Sequence, residues 1–303
     1  MYKNKNGMIT FLGLDFMFDS NDKLFFIEAN SDPGLMRFFK KKYKNCKPLE
    51  LLINKTKEYP EKKIINVVSK YLDKKSKNTK YVHNFLSKKL DDNKYEYYTI
   101  DTVNEKNLQT AYEHIMKNKK YIVYTPYIQL KEKLARHTEI PVINPYSISN
   151  ICINKSFLYQ SLHQSKYYNI PKTFSFNDLN DAYEFMKDNQ YDEYIIKPNK
   201  GYGGKKIFFI KKIKDLDKIK LEGDNWLIQE KIHQNLRKKR YWDCRTYTLQ
   251  GKYIAGLMRV SRQPVVNISQ KGKVEAIPDE YINILKKASE EVVKNIIETA
   301  SKN

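Results

Sequence analysis

Three groups of side chains in this sequence could do chemistry. Near its start, Asp15 interrupts the apolar run Phe11–Phe18, and Glu28 and Asn30 follow the apolar stretch Leu24–Ile27. Carboxylates in runs this apolar are rarely buried unless they are paired or hold a metal. The cluster Asp19-Ser20-Asn21-Asp22 between the runs reads as a hairpin turn. If that turn is even-numbered, cross-strand pairing puts Asp15 on the face of Phe26, Glu28 and Asn30. Two carboxylates and an amide oxygen then converge with no cation among them. A hard, oxygen-seeking ion such as Mg²⁺ would relieve their repulsion. A polar edge strand is the plainer alternative, and it accounts for Asp19 and Asp22 better than for Asp15 and Glu28.

The second group is a glycine cluster. Three of the chain's ten glycines fall in 201–204, directly after Ile195-Ile196-Lys197-Pro198 and before the β-rich Lys206–Ile210. A strand–glycine loop–strand unit can fold over phosphates with backbone N–H donors that no side chain blocks. Lys197, ending a buried strand, would add a point charge to the same phosphates. No Gly-Lys-Ser/Thr leads into a helix, so this is not a Walker loop. A flexible hairpin explains the glycines equally well.

The third group is cationic. Asp243-Cys244-Arg245 and Arg259 flank the turn Gln250-Gly251, and Asn267 follows. An odd loop of Gln250-Gly251-Lys252 pairs Asp243 with Arg259 and puts Arg245 on the same face. An even loop separates the two arginines, and the sequence leaves both registers open. Taken singly, each arginine reads as a solvated surface charge.

The elements that must position these groups alternate along the chain. Strands Met8–Phe18 and Leu24–Ala29 form the first hairpin. Residues 38–77 are Lys-rich, carry Pro48 and Pro60, and read as a connector with a helix from Glu61 to Leu72. Tyr81–Lys89 is strand or helix. Tyr95–Ile100, Tyr121–Tyr124 and Ile140–Ile143 read as strands around a helix at Leu108–Lys117, which suggests a small parallel sheet. Helices Lys155–Gln164 and Leu179–Asn189 precede the strands Tyr194–Lys197 and Trp226–Ile232. The hairpin Arg245–Leu249/Tyr253–Arg259 and an amphipathic helix Asp279–Thr299 close the chain.

Composition sets the outer limits. The 303 residues carry 56 Lys+Arg against 35 Asp+Glu, a net charge of +21, with 41% hydrophobic and 13% aromatic content. That much apolar material excludes a disordered polycation and is enough for one large or two to three small units. Three well-separated cysteines form neither a disulfide framework nor a zinc pattern. The five histidines are scattered without metal-ligand spacing. The apolar run Gly7–Leu14 stops at Asp15 and lacks a cleavage site, so a buried strand is expected rather than a leader, and no stretch is long enough to span a membrane. A cytoplasmic location is the expectation. The positive field favours anionic ligands such as nucleotides or acidic peptides.

Six pieces together carry a family resemblance. They are Lys155 opening a helix; Ile195-Ile196-Lys197-Pro198 with Gly201-Tyr202-Gly203-Gly204; Trp226-Leu227-Ile228-Gln229-Glu230-Lys231-Ile232; Asp243-Cys244-Arg245; Arg259 with Asn267; and Gly13-Leu14-Asp15 with Ile27-Glu28-Ala29-Asn30-Ser31-Asp32-Pro33-Gly34. This set resembles the ATP-grasp superfamily, most closely its RimK-like and tubulin–tyrosine-ligase-like amino-acid ligases. The resemblance implies an α/β (α+β) fold. Two α+β subdomains would enclose the nucleotide, beside a small parallel-sheet pre-ATP-grasp domain. It implies ATP and Mg²⁺ as cofactors. Lys155 and Lys197 would hold the α/β-phosphates, with Gly201, Gly203 and Gly204 closing over them. The Gln229–Ile232 backbone would read the adenine edge, with Glu230 near adenine or ribose. Asp15, Glu28 and Asn30 would bind Mg²⁺. Arg245 would face the substrate carboxylate or γ-phosphate, and Arg259 the developing oxyanion. Asn267 would join the nucleotide site.

The order of the pieces departs from that family. There the Asp…Glu-x-Asn hairpin comes last, after a helix like Asp279–Thr299, whereas here it comes first. A circular permutation follows as the leading reading. Residues 1–35 are then the metal-binding hairpin, 36–77 a connector with a helix, 78–150 the pre-ATP-grasp domain and 151–303 the ATP-grasp domain, with a lid at about 155–228. A tandem whose upstream ligase domain is missing, and a homodimer with swapped hairpins, are the rival arrangements. Lys271 before Gly272 is a smaller departure, since relatives often carry a glycine pair there. The expected activity is ATP-dependent carboxylate–amine ligation through an acyl phosphate, joining an amino acid or peptide carboxylate to an amine, with no membrane and no nucleic acid as partner. A kinase on a related nucleotide site, a non-catalytic ATP-binding subunit and a basic nucleic-acid-binding protein are the alternatives. The basic runs Lys40–Lys42 and Arg237–Arg240 lack the interleaved aromatics of RNA modules.

Overall fold

A computed structural model of the chain describes residues 8–201, 206–223, 225–266 and 272–302. The expected site residues Gly203, Gly204 and Asn267 lie outside these. Along the chain, β1 (Phe11–Phe18) and β2 (Leu24–Asn30) form the N-terminal hairpin. Helices α1 (Met36–Tyr43) and α2 (Lys47–Thr56) lead to β3 (Lys63–Ser69), α3 (Lys70–Lys75) and α4 (Lys77–Lys89). Then come β4 (Tyr95–Ile100), α5 (Glu105–Asn118), β5 (Tyr121–Tyr124), α6 (Ile128–Leu134), α7 (Tyr146–Ile153) and α8 (Lys155–Ser161). The next unit contains β6 (Thr173–Phe176), α9 (Leu179–Asp188), β7 (Tyr194–Pro198), β8 (Phe208–Ile210) and β9 (Trp226–Glu230). Last are β10 (Tyr241–Leu249), β11 (Lys252–Ser261), β12 (Lys273–Glu275) and α10 (Asp279–Ala300).

Three sheets result. β3 lies between β4 and β5 in a parallel sheet, β6-β9-β7-β8 make an antiparallel sheet, and β12-β11-β10-β1-β2 make a larger antiparallel one. The N-terminal hairpin therefore adds two strands to the sheet built by the C-terminal hairpin β10/β11. No helix among the described residues is long and apolar enough to cross a membrane.

Three expectations need correction here. Glu61–Leu72 does not form a helix: Lys63–Ser69 is the central strand of the parallel sheet. Ile64, Ile65, Val67 and Val68 fit a helical stripe, but β-branched side chains lose rotamer freedom in a helix and suit a buried strand. That sheet accordingly begins near residue 63 rather than 78. Ile140–Ile143 does not become a full strand, since Val142 and Ile143 make only isolated bridges, to Val123 and Ile9. Nor is 36–56 a passive connector. Met36, Phe39, Leu49, Leu52 and Ile53 pack with Phe11, Tyr247 and Leu257, covering one end of the large sheet's outer face. The opposite face, with Leu12, Leu14, Phe16 and Phe26, packs on α7, α8 and α10. Each fully buried Leu or Phe in that layer contributes about 1.5–3 kcal/mol, which anchors the N-terminal hairpin.

The first hairpin closes differently from the even-turn expectation. Asp19 N–H donates to the Lys23 carbonyl at 2.9 Å, enclosing three residues, with Asp22 at φ 59°. The Asp19 carboxylate accepts from the amides of Asn21 and Lys23, each at 2.8 Å. Phe16 therefore pairs with Phe26, and both face the core, so Phe26 does not share the face of Asp15. A bulge between them then restores the parity: Ile27 is the extra residue, Asp15 pairs with Glu28 and Gly13 with Asn30. The second hairpin does the same in reverse. Leu249 pairs with Lys252 across the two-residue turn Gln250-Gly251, both at positive φ, which is the even register. A bulge at Ile254 then shifts the pairing, so Asp243 meets Arg259 and Arg245 meets Leu257. The two arginines share a face after all.

Residues near the two ends of the chain meet at one turn. Gln250 Oε1 accepts from the Thr10 amide at 2.9 Å, and Ile297, in the last turns of α10, lies over Gly251.

Candidate active site

A cleft of about 750 Å³ opens between the β6–β9 sheet and the outer face of the five-stranded sheet. That size suits a small-molecule ligand. Its walls include Asp15, Glu28, Asn30, Lys197, Arg245 and Arg259. Asp15 on β1 pairs in register with Arg245 on β10 and with Glu28 on β2, so alternation sends all three to one face. Gln229, Glu230 and Ile232 line the same cleft from the end of β9. The structure thus brings together residues from both ends of the sequence.

The lysine side is tightly built. Asn154 caps α8 by accepting from the Phe157 amide at 3.2 Å, which fixes Lys155 in the first turn. Lys155 Nζ donates to the Gly201 carbonyl at 2.7 Å, and Asn199 Oδ1 accepts from the Ser156 amide at 2.9 Å. These bonds tie the start of the glycine loop to α8. Lys197 Nζ donates to Gln229 Oε1 at 2.8 Å and to the Tyr159 hydroxyl at 3.2 Å. At the end of β9 and just beyond it, the Glu230 and Lys231 amides are taken by the carbonyls of Lys172 and Glu193, and Glu230 Oε1 accepts from the Lys172 amide. The Ile232 amide has no backbone acceptor among the described residues, which leaves it able to donate to a ligand edge.

The acidic side corrects one premise. The carboxylates do not converge without a cation. Arg245 grips Asp15 with two hydrogen bonds, Nε to Oδ1 and Nη2 to Oδ2, both 2.6 Å. Arg259 Nη2 also reaches Asp15 Oδ2, at 2.9 Å, and Arg259 holds Asp243 at 2.6 and 2.7 Å. Strand pairing rather than sequence spacing brings both arginines onto Asp15, since Asp15 stands opposite Arg245 and Asp243 opposite Arg259.

No protein-family model matches this sequence, and neither does any curated protein sequence. Solved structures do match its fold. D-alanine–D-alanine ligase from Bacillus anthracis superposes with a TM-score of 0.53 at 17% identity, over 78% of this chain and 79% of that one. A protein assigned provisionally as a gamma-glutamylcysteine synthetase, from Methylobacillus flagellatus KT, gives 0.54 at 12% identity over 96% and 87%. The D-cycloserine synthetase DcsG gives 0.51 at 11% identity over 78% and 82%. The chain has the ATP-grasp fold.

The electrostatics of the ATP-grasp cleft follow from its burial. Burial lowers Lys155 and Lys197 to about 8, with the charge of Glu28 opposing the shift in both. Burial also raises Glu28 above the usual carboxylate range, and the Asp15 charge adds to it, while Arg245 and Lys155 act the other way. Asp15 is held well below that range: burial would raise it, but Arg245 and Arg259 together prevail. Burial raises Asp243 to about 6, against the pull of Arg259.

These differences decide how the donor set fits a metal ion. Asp15 commits its oxygens to guanidinium groups. Glu28 is less well served, with Asn30 Nδ2 at 3.4 Å and Arg245 Nη2 at 3.7 Å from Oε1. A half-buried carboxylate with weak partners, beside an amide and at a cleft wall, fits a divalent cation. Among the described residues no three His, Cys, Asp or Glu side chains form a metal-holding group, and of the expected trio Asp15 is taken by the arginines, which leaves Glu28 and Asn30 to be tested as a metal pair.

Two side chains outside the expected set join the site. Asp243 orients Arg259, as the odd-register reading suggested. Tyr159 donates its hydroxyl to the carbonyl of the bulge residue Ile27 at 2.5 Å while accepting from Lys197. Its position, one helical turn after Lys155, was the available signal.

Proposed function

We propose that the protein is an ATP- and Mg²⁺-dependent carboxylate–amine ligase that works through an acyl phosphate. The observation that carries this reading is that, in one chain, Glu28 from the N-terminal hairpin and Lys197 line the same cleft, with Lys155 bonded to the Gly201 carbonyl beside it. The fold neighbours include enzymes named as ligases and synthetases, which supports the same reaction class.

In this mechanism Lys155 and Lys197 hold the nucleotide phosphates, beside Gly201, whose carbonyl Lys155 bonds. The Ile232 amide donates to the adenine edge. Glu28 and Asn30 would hold Mg²⁺, which would offset phosphate charge. Arg245 and Arg259 face the reacting groups. Each commits Nε and Nη2 to a carboxylate, which leaves Nη1 donors for the transferring phosphoryl group. A substrate carboxylate oxygen attacks the γ-phosphorus, and the bond to ADP breaks. The amine nitrogen then attacks the acyl carbon, the bond to phosphate breaks, and the amine proton leaves to solvent or phosphate.

The hairpin's place also supports a circular permutation. Thr10 and Ile297 both meet the Gln250-Gly251 turn, so the usual order would be restored by a short link there.

Hydroxylamine trapping tests the reaction. Hydroxamate is expected only when ATP, Mg²⁺ and a suitable carboxylate are all present, and Glu28→Ala should abolish it. ATP-dependent hydroxamate that persists in Glu28→Ala would overturn the metal assignment, and a stable phosphoester product would favour a kinase.

A further inference from the structure

The cleft lining includes a further cationic group that the nucleotide assignment does not use. Leu35, Arg37, Phe38, Lys75, Lys77 and Asn78 belong to that part of the lining. Asn78 Oδ1 accepts from the Met36 amide at 2.8 Å, which ties the start of α4 to the start of α1 and holds Arg37 and Lys77 on one wall. The Arg37 guanidinium lies 4.5 Å from the Phe38 ring centroid, a stacking that limits its motion.

None of Arg37, Lys75 and Lys77 has a carboxylate at ion-pair distance among the described residues. Lys70 in the same helix as Lys75 does, at Asp101, and the nearby Asp73 is engaged by the Tyr97 hydroxyl at 2.7 Å. Of the cleft's carboxylates, Asp15 and Asp243 are committed to arginines and Glu230 to the Lys172 amide, while Glu28 lies beside Asn30 and Arg245. Arg37 is half-buried and Lys75 and Lys77 are exposed, so the three like charges form a positive stretch of the cleft lining that attracts an anion.

The geometry points to a second anion subsite at Arg37, Lys75 and Lys77, which holds a further carboxylate of the acid substrate. This inference rests on the ligase reading and narrows it: the acid is a dicarboxylate, free or as an acidic peptide segment. The activated carboxylate lies toward Arg245 and Arg259, and the second is held by the residues of 37–77.

Binding with Mg·ADP present tests this without turnover. Glutarate, triglutamate peptide, the monocarboxylate valerate and inorganic phosphate are titrated into the full chain. Glutarate or triglutamate should bind at least roughly tenfold tighter than valerate, with the margin shrinking as salt rises. Which of the two binds tighter separates a free diacid from a peptide. The R37Q/K75Q/K77Q variant should lose the margin, whereas K214Q/K286Q/K302Q, which removes the same charge elsewhere, should keep it. Equal binding of valerate, tighter binding of phosphate than of either diacid, or equal loss in both variants would overturn the subsite. A preserved margin with no hydroxamate from any acid would instead overturn the ligase reading.

Discussion

Arg245 grips Asp15 with two hydrogen bonds of 2.6 Å across 230 positions of sequence. The contact joins a strand from the start of the chain to one near its end. Side-chain exposures of 9% and 3% make it a buried pair, with Arg259 sharing the same carboxylate.

Removing that carboxylate should destabilise the whole unit. Asp15→Asn leaves two buried guanidinium groups without their shared counter-charge, a change that costs about 3–5 kcal/mol in comparable buried pairs. Urea unfolding of the variant should show a midpoint lowered accordingly. An unchanged midpoint would mean that the pair does not anchor the hairpin.

Nucleotide binding should weaken in alkali. Lys155 and Lys197 titrate at about 8, below their ordinary range, so each loses its charge as pH rises past that point. ATP affinity should fall as the solution moves from neutral to clearly alkaline, and binding at about pH 8 should take up protons. Between the folded value of about 8 and the unfolded value of about 10.5 the unfolded chain binds more protons, so these two groups make the nucleotide-free protein more stable as pH rises through that window. Calorimetry in buffers of different ionisation enthalpy reads the proton uptake directly.

Tyr159→Phe should separate positioning from packing. It keeps the ring but removes the bonds to Ile27 and Lys197, a loss of about 1–3 kcal/mol for buried groups left unpaired. Because Ile27 is the bulge residue that turns Glu28 to the cleft, the apparent affinity for Mg²⁺ should fall along with that for ATP. A variant with lower stability but unchanged Mg²⁺ dependence would reduce Tyr159 to a packing residue.

Mixing two inactive variants distinguishes one-chain sites from swapped ones. Glu28→Gln and Lys197→Gln chains, mixed and refolded together, should recover no hydroxamate activity if each chain supplies its own hairpin. Recovery toward roughly one quarter of the unmutated rate would show exchange between subunits.

Much of this site could be read from the sequence, and the rest was hidden by single-residue bulges. The carboxylates in apolar runs stand out on their own residues, whereas the lysine before the glycine cluster and the Asp-x-Arg unit gain a role over their plainer alternatives only through the family resemblance. The face assignments could be read in neither way. The Asp19–Lys23 closure alone would place Asp15 away from Glu28, and the Gln250-Gly251 turn alone would place Arg245 away from Arg259. One extra residue in each hairpin, at Ile27 and at Ile254, reverses both outcomes. Turn residues announce a turn, but nothing comparable in composition announces a bulge. The strand Lys63–Ser69 was lost for another reason: its apolar spacing fits both periods, and only its β-branched content separates them.

The decisive measurement is a crystal structure with Mg²⁺ and a non-hydrolysable ATP analogue. Phosphates should lie against Lys155 and Lys197, with a metal ion on a Glu28 oxygen, all within one chain. A nucleotide bound elsewhere, or a Glu28 carboxylate directed away from it, would contradict the ligase assignment.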